Sequence, residues 1–328
     1  MTFLDKLIRS SHPYRYASLK SKSIFLPGFQ GLPLYEVIVF FKSQVQKVGL
    51  NDRARSIAFS FLMAIPAATI FLCTLIPYLP VSRKLTYQLL QLTREITPNQ
   101  NTYSLVSNFL NDFLNKQRGG LLSIGLFIAL YYASNAMIGL MRSFNKSLPP
   151  KAPNNFFENR LIAIQLTLVM ILLLIGCIVI LVTQDELLRY VFKALNVHRR
   201  SMKGLVKSLR WVVIIPLFYF TIAFIYRHAP SIQKKWRLIS PGTTLATILM
   251  ILLTFLFSFW VNKFGTYNKV YGSIGTILIL MIVIYFNALI LLIGFELNVS
   301  IHSLKEKAAL RKIHDEEKIR EISNSSTQ

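Results

Sequence analysis

Six apolar runs of 16 to 22 residues alternate with polar stretches along the chain, at 57–77, 121–141, 161–182, 211–226, 244–261 and 274–295. The last of them has no Lys, Arg, Asp or Glu between Ile274 and Phe295. At ~1.5 Å per residue it can cross the ~30 Å hydrocarbon core of a bilayer as a helix. Pro66 and Pro216 lie inside two of the runs, where each removes a backbone hydrogen bond and is expected to kink its helix. Three shorter segments read as amphipathic helices lying on the membrane. One follows Pro33 and carries Lys42 and Lys47. Another is the second half of the polar loop 82–120, with Leu105, Phe109, Leu110, Phe113 and Leu114 at helical spacing. A third follows the 161–182 run, with Leu188, Val191, Phe192 and Leu195. The pattern predicts an all-α, polytopic membrane protein with six transmembrane helices plus amphipathic interfacial helices. A basic lead (1–31), a membrane domain (32–301) and a charged cytoplasmic tail (302–328), a helical stretch fading into a Ser/Asn end, follow from it, with a Gly/Tyr/Asn turn at 265–273 leading into the final run.

Composition sharpens this picture. The chain is 53 % hydrophobic and only 16 % charged, against about a quarter in soluble proteins. The formal charge of +23 would suit a nucleic-acid binder. Here the Lys and Arg lie between apolar runs, where they set topology and meet anionic headgroups. Membrane lipids are therefore the expected partner, and nucleic acid is not. Of the 37 Lys and Arg, 23 fall on the side that carries both termini, which places both ends in the cytoplasm. The basic stretch 198–210 pulls the other way. Cys73 and Cys177 sit inside apolar runs and read as small buried hydrophobes rather than a disulfide or metal site. The basic start has no apolar core followed by a small-residue cleavage site, so no cleaved signal peptide is expected. Nothing in the pattern fixes an oligomeric state.

Charges near a membrane core cost ~2.5–3.5 kcal/mol each on insertion scales, so polar groups there need a reason. In the second run Tyr131, Ser134, Asn135 and Arg142 share one helical stripe. The stripe either bonds a neighbouring helix, with Arg142 reaching to the interface, or lines a cavity. In the last run Asn287, Gly294 and Asn298 form a small-plus-polar face, and Glu296 lies opposite it. Glu296 is expected either to pair with Arg142, Arg160 or Arg227 or to serve as a proton or substrate site. Glu158 and Arg160 open the third run at the interface, and Tyr226, Arg227 and Trp236 are placed to anchor at the headgroup level or to contact phosphates.

The chain resembles the YihY/BrkB family of bacterial inner-membrane proteins. The elements that carry the resemblance are Tyr226-Arg227 with Pro230, Trp236 and Pro241-Gly242, then Tyr267-Asn268 and Tyr271-Gly272-Ser273, and last Gly294, Glu296 and Asn298. The second-run stripe ending in Arg142 and the Glu158-x-Arg160 pair support it. The resemblance covers about 35–300, with a first run that departs mildly from the usual Leu/Phe-rich pattern. It implies an integral protein of the bacterial inner membrane without implying one biochemical activity. Some members are associated with virulence or serum resistance, and some carry a ribonuclease label.

That label fails on its own chemistry. Metal-dependent phosphodiester cleavage needs clustered His and carboxylates holding ions ~3.5–4 Å apart. The five His form no ligand motif, and His314-Asp315-Glu316-Glu317 reads as a solvated helix face. Walker A, HExxH and GxSxG sequences are missing as well. No catalytic residue, metal or cofactor is expected, although a membrane-embedded enzyme is not excluded. The leading expectation is a transporter or permease-like protein for an anionic or lipid-like substrate. The alternative is a non-catalytic envelope scaffold that gathers partners through its surface helices and basic termini.

Overall fold

A computed structural model describes residue 24 and residues 28–29, 31–78, 82–96, 100–114, 119–148, 155–194, 202–232, 235–263 and 267–325. Side chains at 177–213 and 261–277 lie outside the described set. Nine α-helices and no strand occur among the described residues. In chain order they are α1 (Leu34–Lys47), α2 (Leu50–Leu75), α3 (Ser82–Ile96), α4 (Gln100–Leu114), α5 (Gly119–Asn145), α6 (Phe156–Ala194), α7 (Met202–His228), α8 (Pro241–Lys263) and α9 (Tyr267–Ser325). Among the described residues five helices are long and apolar enough to cross a membrane, and the apolar stretch Ile214–His228 of α7 is a shorter sixth. The protein is thus an all-α, multi-pass membrane protein.

The six long helices alternate in direction. The start of α2, the ends of α5 and α7, the starts of α6 and α8 and the 294–298 segment of α9 all meet at one end, hereafter the Glu296 end. Asn145 at the close of α5 bonds Ser231 just after α7 (3.1 Å), and Asn298 of α9 bonds Gly242 at the start of α8 (2.8 Å). The core sits between α2, α5, α6, α7, α8 and α9, on Ile57, Leu140, Phe144, Leu166, Tyr226, Met250, Leu292 and Phe295. In hydrocarbon no hydrophobic force draws helices together, so small residues that permit close approach carry the packing. Gly139 of α5 illustrates this: an added Cβ would lie 3.0 Å from the Ser60 hydroxyl of α2.

Several elements differ from the sequence expectation. The 267–273 turn is helix, so α9 starts at Tyr267; the helical stretch expected in the charged tail is present and continues α9 unbroken to Ser325. Its Lys/Glu/Ala-rich continuation has high helix propensity and contains no Pro or Gly to stop it. The third amphipathic segment is a continuation of α6, and the first half of loop 82–120 is the helix α3. Pro66 and Pro216 are both accommodated inside continuous helices. The expected surface helix α1 is present and docks on α9, where Phe29, Val37 and Ile301 form a small apolar cluster and Lys307 lies over the Phe40 ring at 4.9 Å. Cys73 is a buried free thiol, whereas the Cys177 side chain and the basic lead 1–23 fall outside the described residues.

Candidate functional site: a cationic cleft beside a buried ion pair

The Glu296 end holds two contrasting structures. One is a sealed seam between α8 and α9. Ser240 caps α8 ahead of Pro241 at the first helical position, its hydroxyl accepting from the Thr243 N–H at 3.3 Å. Asn298 accepts from the Gly242 N–H (2.8 Å) and donates to the Ser240 hydroxyl (2.9 Å), so its side-chain amide is used on both sides. Gly242 and Gly294 let the backbones touch. A Cβ on Gly242 would overlap the Gly294 carbonyl, and one on Gly294 would lie 2.5 Å from the Tyr226 hydroxyl and 2.6 Å from the Gly242 carbonyl. Tyr226 fills the remaining space. It is 2 % exposed, donates to the Leu291 carbonyl at 2.7 Å and packs edge-on against Phe144 and Phe295, whose rings stack with centroids 3.9 Å apart.

Tyr226 is therefore buried inside the bundle, with almost no surface left to contact a phosphate. Trp236 likewise packs on Phe295 (5.2 Å) and His302 (6.4 Å). Arg227 is half-buried, with its Nε lacking a partner among the described residues. Asn287 bonds its own helix at the Val283 carbonyl. Tyr267, Asn268, Tyr271 and Gly272 lie in the first turns of α9, with side chains outside the described set.

Next to the seam, Glu296 is fully buried and paired with Arg53 of α2 at 2.8 Å, their side chains 0 % and 3 % exposed. The expected partners Arg142, Arg160 and Arg227 are not used. Arg53 also donates to the Ser147 hydroxyl (2.9 Å) and to the Ser143 carbonyl, while the Ser147 hydroxyl donates to the same Glu296 oxygen. The pair thus ties α2 and the end of α5 to α9. Desolvating two charges is costly, and the network offsets this by concentrating three charge-assisted bonds on them. It is not complete, because Glu296 Oε2 and Arg53 Nε have no partner among the described residues.

The second structure is an open cleft of about 950 Å³ between α2, α5 and the start of α6. Tyr131, Asn135, Arg142 and Arg160 line it together with Arg53, Ser56, Ser60, Ser143 and Lys146. The α5 stripe expected from sequence accordingly faces one cavity. Ser134 is the exception, being fully buried and bonded back to the Tyr131 carbonyl. Glu296 does not line the cleft but reaches it through Arg53. Glu158 is exposed in the first turn of α6, where its charge suits the helix N-terminus.

The position of Arg160 is the most informative feature. Its guanidinium donates to the Asn135 side-chain oxygen and stacks over the Tyr131 ring at 4.6 Å. Asn135 lies seven residues below Arg142, which is about 10 Å deeper along α5. Arginines near helix ends usually extend toward the headgroups; this one is directed inward and held there. Among the described residues Arg142, Lys146 and Arg160 have no carboxylate partner. The one lining acid, Asp52, is an exposed residue bonded to Arg55 at 3.3 Å. Arg53, Lys146, Ser56 and Ser60 were not singled out from sequence. The available signal was the spacing of Arg53, Ser56 and Ser60 at i, i+3 and i+7, a polar stripe on α2 that faces the stripe of α5.

Residues 41–320 match the family described as Virulence factor BrkB. The chain belongs to this family. The ribonuclease-like protein YfkH of Bacillus subtilis is 31 % identical over 256 residues, covering 78 % of this chain and 91 % of YfkH. A UPF0761 membrane protein of Idiomarina loihiensis is 35 % identical over 100 residues, 30 % of this chain and 35 % of its own. Another, from Tolumonas auensis, is 32 % identical over 90 residues, 27 % and 30 % of the two chains. No solved structure matches. The ribonuclease wording belongs to YfkH. In this BrkB-family chain the described residues hold no group of three or more His, Cys, Asp or Glu that could bind a metal ion.

Proposed function

We propose that this chain is a transport protein of the bacterial cytoplasmic membrane that moves an anionic or lipid-like substrate by way of the cleft. The observation that carries this reading is Arg160, a cation directed about 10 Å inward of Arg142 with no carboxylate to answer it among the described residues. An ionisable residue within the membrane is costly and by default marks a substrate or ion path. Arg142 and Lys146 at the mouth give an incoming anion a graded series of positive groups. Both termini lie in the cytoplasm, following the distribution of Lys and Arg, and the cleft opens to that side. Arg53 is shared between the cleft and Glu296, so the buried pair supports the cleft's floor.

Reconstitution into liposomes tests this. Protein-dependent movement of an anionic solute or lipid is expected, falling about tenfold or more in Arg160→Gln, since a hydrogen bond to a charged group contributes ~1.5–3 kcal/mol. No movement in vesicles, together with full activity of Glu296→Gln and Arg160→Gln in cells, would contradict the reading. The scaffold alternative draws on the surface helix α1 and the long charged part of α9, to which it docks. Crosslinking that recovers a stable partner while the cleft variants keep full activity would favour it instead.

A further inference from the structure

The walls of the cleft point to the kind of anion it takes. This step rests on reading the cleft as the substrate site. A soluble anion needs a path closed off from hydrocarbon, because it has nothing to offer lipid chains. This cleft is not closed. Phe156, at its rim on α6, is 71 % exposed, and Tyr131, at its inner end, is 56 % exposed. Beyond Tyr131 the same face of α5 continues as exposed Phe127 and Ile124, at i−4 and i−7. On α6 the exposed Leu161 and Leu168 continue from Arg160. Among the described residues the polar, cationic surface and the exposed apolar surface are thus continuous along α5 and α6.

We propose that the cleft loads the phosphate headgroup of an anionic lipid sideways from the bilayer. Arg142 on α5 and Lys146, four residues on and just past the end of that helix, hold the phosphate at the mouth. Arg160 receives it deeper, using the guanidinium N–H groups left over from Asn135. The acyl chains stay in the hydrocarbon beside Phe156, Leu161 and Tyr131. The open side, which would leak for a small ion, is what an amphiphile requires. Below Tyr131 the α5 face is apolar, so the headgroup path ends near the middle of the helix in this conformation.

The full-length protein, purified in a neutral detergent, is titrated by native mass spectrometry with phosphatidylglycerol, phosphatidylcholine and glycerol 3-phosphate. Phosphatidylglycerol should bind about tenfold more tightly than phosphatidylcholine. Glycerol 3-phosphate should not displace it at equal concentration. Arg142→Gln and Arg160→Gln should each weaken the lipid about tenfold, and Lys146→Gln less. If the arginine variants do not fold, Lys146→Gln, exposed at the mouth, still decides the matter: unchanged lipid affinity there overturns the proposal. Equal potency of glycerol 3-phosphate would identify a soluble anion and also overturn it. Liposome assays separate this from the transport reading. Cleft-dependent lipid binding without movement removes transport and keeps the lipid site. Movement of a soluble anion without lipid binding does the reverse.

Discussion

The seam between α8 and α9 and the cleft between α2, α5 and α6 share one end of the bundle and are built on opposite plans. In the seam Gly242 lies against the Gly294 carbonyl and the Asn298 side chain, the Tyr226 hydroxyl lies against Gly294, and both Asn298 side-chain groups are bonded. In the cleft three cations have no acid partner among the described residues, and about 950 Å³ lies open. Polar groups in a membrane are costly wherever they sit, so the contrast separates those offset by the fold from those left for something outside it. The Arg53–Glu296 pair stands between the two. One partner lies in the core of the seam side, and the other forms part of the cleft wall.

Substitutions should fall into two classes across that divide. The largest loss is expected for Glu296→Ala, which leaves Arg53 charged, buried and unpaired. Thermal unfolding in detergent should show a loss of about 3–5 kcal/mol. Replacing both partners with apolar residues should recover much of it, because the uncompensated charge is then gone. Gly294→Ala comes next, at about 1–3 kcal/mol, since its methyl group would press on the Tyr226 hydroxyl. In a Tyr226→Phe background the same change should cost less than the sum of the two single changes, which a double-mutant cycle measures. On the cleft side, Tyr131→Leu should cost only about 0.5–2 kcal/mol through the lost cation–π contact with Arg160. Arg142→Gln and Lys146→Gln should change stability by about 0.5 kcal/mol or less while reducing transport. A cleft as sensitive to packing changes as the seam would erase the distinction.

The transmembrane helices were legible in the sequence because long uncharged runs leave little alternative in hydrocarbon. The Tyr131, Asn135, Arg142 stripe was legible as well, since helical spacing alone puts those residues on one face. What one helix cannot disclose is its neighbour. The direction of Glu296 away from Gly294 and Asn298 could be read from the wheel, but its partner lies 243 residues away on α2. Arg53 looked like a flanking charge because it precedes the apolar run; only the start of α2 at Leu50 places it inside the helix. Tyr226 looked interfacial beside Arg227, and it is buried because Gly294 on α9 leaves room for its hydroxyl. The charged tail was legible as helix, but not its continuity with the last apolar run, since a change from apolar to charged composition alters the solvent around a helix without ending it.

The central distinction, an open cationic cleft beside closed packing, is tested most directly by thiol accessibility. Ser56 lies exposed in the cleft wall and Ser134 is fully buried one helix away. Each becomes cysteine in a background with Cys73 and Cys177 replaced by alanine, and modification rates are measured with a negatively and a positively charged methanethiosulfonate reagent. Ser56→Cys should react readily and faster with the anionic reagent, a preference lost when Arg142 and Arg160 are both changed to Gln, and Ser134→Cys should stay inert. Equal inertness of both cysteines, or no preference for the anionic reagent at Ser56→Cys, would contradict the cationic cleft.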